Sequence, residues 1–124
     1  MKGLSKHRYY ELLHWCLQYP EWEKKIQELR LIPEVEQARR GNSKWIAKRG
    51  TEESGILLAE MSRNRETVRR VCREASEELY PWLLTAVTKG ASFTELKMSH
   101  GLPCEKDMFY DRRRRFFLLL DKEK

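Results

Sequence analysis

The C-terminal stretch SFTELKMSHGLPCEKDMFYDRRRRFFLLLDKEK, from Ser92 onward, concentrates the side chains that could recognise another molecule. Arg112, Arg113, Arg114 and Arg115 form an unbroken guanidinium run, suited to phosphates and to base edges. Four consecutive residues cover every side of a helix, so they cannot all meet the same groups. Arg113 and Arg115 are placed for phosphates flanking a groove, whereas Arg114 shares a face with Tyr110, one turn earlier, and Asp107, two turns earlier. Lys106 and Asp111 complete that polar face. Recognition is the chemistry on offer, because no reaction chemistry presents itself. His7, His14 and His100 lie in unrelated segments, and the acids are dispersed among arginines. There is no nucleophile elbow, phosphate-binding glycine loop or HExxH motif, so no enzyme and no cofactor is expected.

Two helices must hold these residues. Ser92-Phe93-Thr94-Glu95 is a capping box, which starts a helix at about Phe93. Gly101 suits a positive-φ position after its end, and Pro103 forbids continuation. A second helix should open near Glu105, capped by Cys104, with Glu105 and Asp107 in the dipole-favoured first turn. Phe109, Phe116 and Leu120, with Leu119 beside them, form its apolar stripe, which passes over Arg112 and Arg113. A short helix, a glycine turn and a longer Arg-rich helix describe a helix-turn-helix, whose second helix enters the DNA major groove. An ordinary helical hairpin with a solvated arginine run is the plainer alternative. On the first reading Lys106, Asp107, Tyr110, Asp111, Arg113, Arg114 and Arg115 contact DNA, joined by Thr94 and Lys97 of the shorter helix.

The whole chain bears on what the partner is. Its 124 residues amount to one domain, or one with a helical extension, and a net charge of +6 favours polyanions moderately. The 19 acidic residues exclude a simple polycationic tail. Cys16, Cys72 and Cys104 are far apart, without CxxC or ligand spacing, and fit small apolar side chains in a reducing cytoplasm. No apolar run reaches the ~20 residues of a membrane span, so no membrane partner is expected.

Before Ser92 the pattern is helical throughout. Ser5 caps a helix with Tyr9, Leu12, Leu13, Cys16 and Leu17 on one face, expected to stop at Tyr19 ahead of Pro20. Pro20 opens a second helix, with Trp22, Ile26, Leu29 and Val35 as its apolar side and Pro33 bending or ending it. Tyr9, Tyr10, Trp15, Tyr19 and Trp22 suit packing better than nucleobase stacking. Residues 36–50 carry Arg39, Arg40, Lys44, Lys48 and Arg49 against one Glu and read as a loop; Arg39 to Arg49 is either solvated or a basic arm on phosphates, with Trp45 packing or stacking. Thr51 should cap the longest helix, with Ile56/Leu57, Met61, Val68, Cys72, Ala75 and Leu79 as its stripe and Glu66–Arg70 as an i,i+4 pair. A break at Tyr80-Pro81 precedes an almost wholly apolar helix from Trp82 to Gly90, expected at the centre of the C-terminal unit. The expected class is all-α: residues 1–50 hold a helical pair and basic loop, and residues 51–124 a long helix and the helix-turn-helix.

An N-terminal helix meeting Tyr-Pro (CLQYPEWEKKIQELR), a variable loop, a long helix starting TEESGILLAEM and a terminal helix-turn-helix resemble the phage late-gene transcriptional activators of the RinA and ArpU-like type. Those are similar to region 4 of bacterial sigma factors at their DNA-binding end. The resemblance implies a transcriptional regulator with double-stranded DNA and RNA polymerase as partners, in the host cytoplasm. Lys106, Asp107, Tyr110, Asp111 and Arg114 fall on its groove-facing positions. Leu102-Pro103-Cys104-Glu105 makes the turn about two residues longer than the pattern, and Arg112 and Arg113 stand where an inward aliphatic residue is common. A small-terminase-like DNA-packaging adaptor and a helical protein-interaction module are the alternatives. Apolar helix beyond one trihelical unit favours a homo-oligomer slightly.

Overall fold

The computed structural model describes residues 3–31 and 49–124, with side chains from Glu53 in the second stretch. Val35, Pro33, Trp45 and the basic segment from Arg39 to Lys48 lie outside the described residues. Among those described the fold is all-helical, with α1 at Lys6–Cys16, α2 at Tyr19–Arg30, α3 at Arg49–Ala75, α4 at Tyr80–Lys89, α5 at Phe93–Ser99 and α6 at Lys106–Glu123. None of these helices is long and apolar enough to cross a membrane.

The chain forms two compact units, one from Met1–Gln18 with Thr67–Lys124 and one from Tyr19–Glu66. These differ from a division at residue 50, because α1 packs on α4 and α6 within the first unit. Leu12 and Cys16 are its buried residues. The Ser5 hydroxyl accepts from the Arg8 amide and starts α1. The helix ends at Cys16 rather than Tyr19: the Leu17 and Gln18 amides close on the carbonyls of Leu13 and Trp15, and Tyr19 already belongs to α2. In the Tyr19–Glu66 unit, α2 buries Tyr19, Trp22, Ile26 and Leu29 at helical spacing.

The start of α3 at Arg49 puts Thr51 inside the helix instead of at its cap. Its stripe begins at Leu58, and Ile56 and Leu57 are exposed. Counting back from Val68 through residue 65 to Met61, a further step of three reaches buried Leu58 and a step of four reaches exposed Leu57, so both fit the period and burial selects Leu58. Val71 joins Val68, Cys72 and Ala75 as buried. Arg70 pairs forward with Glu74 at 3.1 Å and with Glu123 of α6, rather than making the expected link back to Glu66.

The break after α3 lies at residues 76–79, ahead of Tyr80-Pro81. The Ser76 hydroxyl accepts from the Leu79 amide at 3.1 Å, offering the backbone a turn in place of another helical bond. Pro81 then sits in the first turn of α4, where its missing N–H costs nothing. Leu83, Ala86, Val87 and Thr88 of α4 are buried. Thr88 can be so because its hydroxyl donates to the Leu84 carbonyl at 2.6 Å. Trp82 is half-buried, not central: its ring flanks the core and its edge faces a turn described next.

Candidate functional site

The corner between α5 and α6 is fixed at both ends by local chemistry. At the start of α5 the Ser92 hydroxyl accepts from the Glu95 amide at 3.1 Å. At its end Gly101 adopts φ +64°, a left-handed geometry that costs other residues about 1–2 kcal/mol. That turn brings the Leu102 amide onto the Leu96 carbonyl at 3.2 Å. Leu102 and Cys104 then drop into a core with Leu79, Ala86, Ala91, Leu96 and Phe109. Burial raises the Cys104 thiol pKa, with the neighbouring Lys97 ammonium acting the other way. Glu105, not Cys104, is the N-cap of α6, because the Cys104 side chain is committed to the core. Two side chains tie the turn down: the Trp82 indole N–H donates to the His100 carbonyl at 2.7 Å, and the Lys97 ammonium donates to the Cys104 carbonyl at 3.0 Å.

α6 is divided along its length. In the first turns only Phe109 is fully buried, while Lys106, Asp107 and Tyr110 are exposed. Further on, Phe116, Phe117 and Leu120 are completely buried and Leu119 is half-buried. Phe117 is the buried residue that the single-stripe pattern omits. The Tyr9 ring of α1 meets it edge-on, centroids 5.0 Å apart, so α1 covers a second side of α6 that period alone does not reveal. Two ion pairs fasten the far end of the helix, Arg8–Asp121 at 2.7 Å and Arg70–Glu123 at 2.5 Å.

The expected contact residues divide accordingly. Thr94, Lys97, Lys106, Asp107, Tyr110 and Arg115 are exposed, and Asp111, Arg113 and Arg114 are half-exposed. Arg113 is held from two sides, donating to the Tyr9 hydroxyl at 2.8 Å and standing 5.4 Å from the centroid of the Tyr110 ring. Asp111 binds Arg112 at 2.5 Å and Arg114 at 3.3 Å through different carboxylate oxygens. Tyr110 lies near Phe93 and Phe109, with centroids at 6.4 and 5.4 Å, which steadies its ring at the surface. Met98 of α5 is 81% exposed and has no counterpart among the sequence-derived contacts. No family model, curated protein or solved structure matches this chain. The arrangement offers hydrogen-bond donors and acceptors on a rigid helical corner; among the described residues no three His, Cys, Asp or Glu side chains gather as a metal site would require.

Proposed function

We propose that this protein binds duplex DNA as a sequence-specific transcriptional regulator, without catalytic activity, in the cytoplasm. In this reading α4, α5 and α6 act as a trihelical helix-turn-helix of the late-gene-activator kind, with α3 and the N-terminal helices as its extension. The observation that carries it is the division of α6. Its first turns, with Lys106, Asp107, Tyr110 and Arg114, project beyond a fixed glycine corner, while its last turns are locked by α1. A recognition helix needs that combination of an accessible N-terminal half and a rigid mount. Thr94 and Lys97 on α5 then meet the phosphate backbone, with Arg115 on the flank.

Fluorescence anisotropy on a labelled random-sequence duplex tests the reading. Affinity should fall by orders of magnitude between about 50 and 200 mM salt, and Lys106→Ala or Arg115→Ala should each lower the salt slope by about one. No binding at low salt, or binding that ignores salt, refutes it. RNA polymerase is the partner an activator would recruit, and a second copy of this chain is the other candidate. Pull-down with polymerase, and light scattering of the protein alone, distinguish them. Capture of a packaging motor subunit instead would favour the adaptor role.

A further inference from the structure

An acid on a DNA-facing helix needs an explanation, because phosphates repel it. Asp107 and Asp111 stand on one stripe of α6 with Arg114, at steps of four and three. Asp111 has an internal use, since its two oxygens hold Arg112 and Arg114. Asp107 is exposed in the first turn and has no ion pair or hydrogen bond among the described residues. In the major groove, cytosine presents an amino donor, N4, that suits a carboxylate. Adenine also presents an amino group, but its N7 acceptor lies beside it and repels a carboxylate. Arg114 has the complementary chemistry. One donor is turned to Asp111, and the rest of its five-donor fork can meet the O6 and N7 acceptors of guanine.

We infer, on the basis of the DNA-binding reading above, that α6 recognises a G·C-containing site in which Asp107 accepts from cytosine N4 and Arg114, positioned by Asp111, donates to guanine. The two reading residues are seven apart, or roughly 10 Å along a helix that rises about 1.5 Å per residue. At about 3.4 Å per base pair that is about three steps, so the two preferences belong at positions about three base pairs apart. Tyr110, between them on the exposed surface, is set by Phe93 and Phe109 and limits how the helix can roll in the groove.

The test is selection from a random duplex pool at low salt, followed by sequencing of the bound fraction, with the wild-type chain, Asp107→Asn, Asp111→Ala and Arg114→Ala. Circular dichroism melts confirm that each variant is folded. The wild type should enrich one cytosine and one guanine. Asparagine matches adenine N6 and N7, so Asp107→Asn should switch the preference at the cytosine position alone, by roughly tenfold or more. Arg114→Ala should abolish the guanine preference alone. Asp111→Ala should weaken that same preference with an unchanged salt slope, the signature of positioning as opposed to phosphate contact. Binding without base preference, or an Asp107→Asn variant that merely binds every duplex more tightly, overturns this inference and leaves DNA binding standing. A wild-type chain that binds no duplex removes the DNA-binding reading and this inference with it.

Discussion

The Tyr9–Arg113 contact joins α1 to α6 across 104 positions of sequence, and its energy can be isolated. The guanidinium donates to the phenol oxygen at 2.8 Å in a partly buried setting. Hydrogen bonds to charged groups contribute about 1.5–3 kcal/mol, and partial exposure brings this one to about 1 kcal/mol. The stacking of Arg113 near Tyr110, at 5.4 Å from the ring centroid, adds about 0.5 kcal/mol. Tyr9→Phe removes only the hydroxyl and keeps the edge contact to Phe117, so it should cost about 1 kcal/mol. Arg113→Ala should cost about 1.5–2 kcal/mol, and the double variant about 1 kcal/mol less than the sum of the singles. Urea unfolding of the four proteins at 25 °C reads this coupling directly. In thermal melts, each kcal/mol should appear as about 4–8 °C for a unit of this size. Strict additivity of the two substitutions would show that this contact does not fasten α1 and would leave the mount of α6 to the Arg8–Asp121 pair and the Tyr9–Phe117 contact.

Trp82→Phe should lower stability by about 1 kcal/mol by leaving the His100 carbonyl without its donor, and Trp82→Ala by about 2–3 kcal/mol, short of the loss for a wholly buried indole; an unchanged melting temperature in both would reject the packing of α4 on the turn. Gly101→Ala should cost about 1–2 kcal/mol through its φ of +64°, since an added Cβ meets nothing within 4 Å, and Gly101→Asn should cost less; equal stability of all three would mean that the turn relaxes freely. Burial pushes the Cys16 thiol up to about 12 from an ordinary 9.0, and burial together with nearby Cys16 raises Cys72 as well. Above pH 9 the unfolded thiols ionise while the folded ones keep their protons, so the unfolded state binds fewer protons and stability must fall as pH rises towards 12, by roughly 1 kcal/mol per unit per thiol. Cys16→Ala should flatten that decline relative to the wild type in pH-dependent denaturation, and an identical slope would contradict the burial of the thiol.

Local devices were legible in the sequence. Ser5, Ser92, Gly90 and Gly101 act within four residues of themselves, so their hydroxyls or positive φ values fix helix ends whatever the surroundings. The helical class followed from period, as did buried Phe109, Phe116 and Leu120. What escaped is tertiary. Phe117 looks surplus on a single-stripe helix until α1 supplies a second cover, and Leu57, four residues before Met61, fits the period as well as Leu58, so only packing selects Leu58. The Ser76 turn was hidden because Pro81 is the louder signal five residues later. At the candidate site, sequence spacing found the exposed face of Lys106, Asp107, Tyr110 and Arg114. It could not tell that Arg113 would bond to a tyrosine 104 positions away, nor that Asp111 would bridge two arginines.

The fastening of α6 by α1 sets a timetable for synthesis. Arg8 and Asp121 are separated by 113 positions, and Cys16 and Leu12 are buried only in a unit whose other part begins at Thr67. α1 must therefore leave the ribosome early and wait, its apolar face incompletely covered, until α4 and then the last helix emerge. A chain stop before Phe117 would leave α1 only its contact with α4, so truncated products of this chain should be substrates for chaperones and proteases, not partly active regulators.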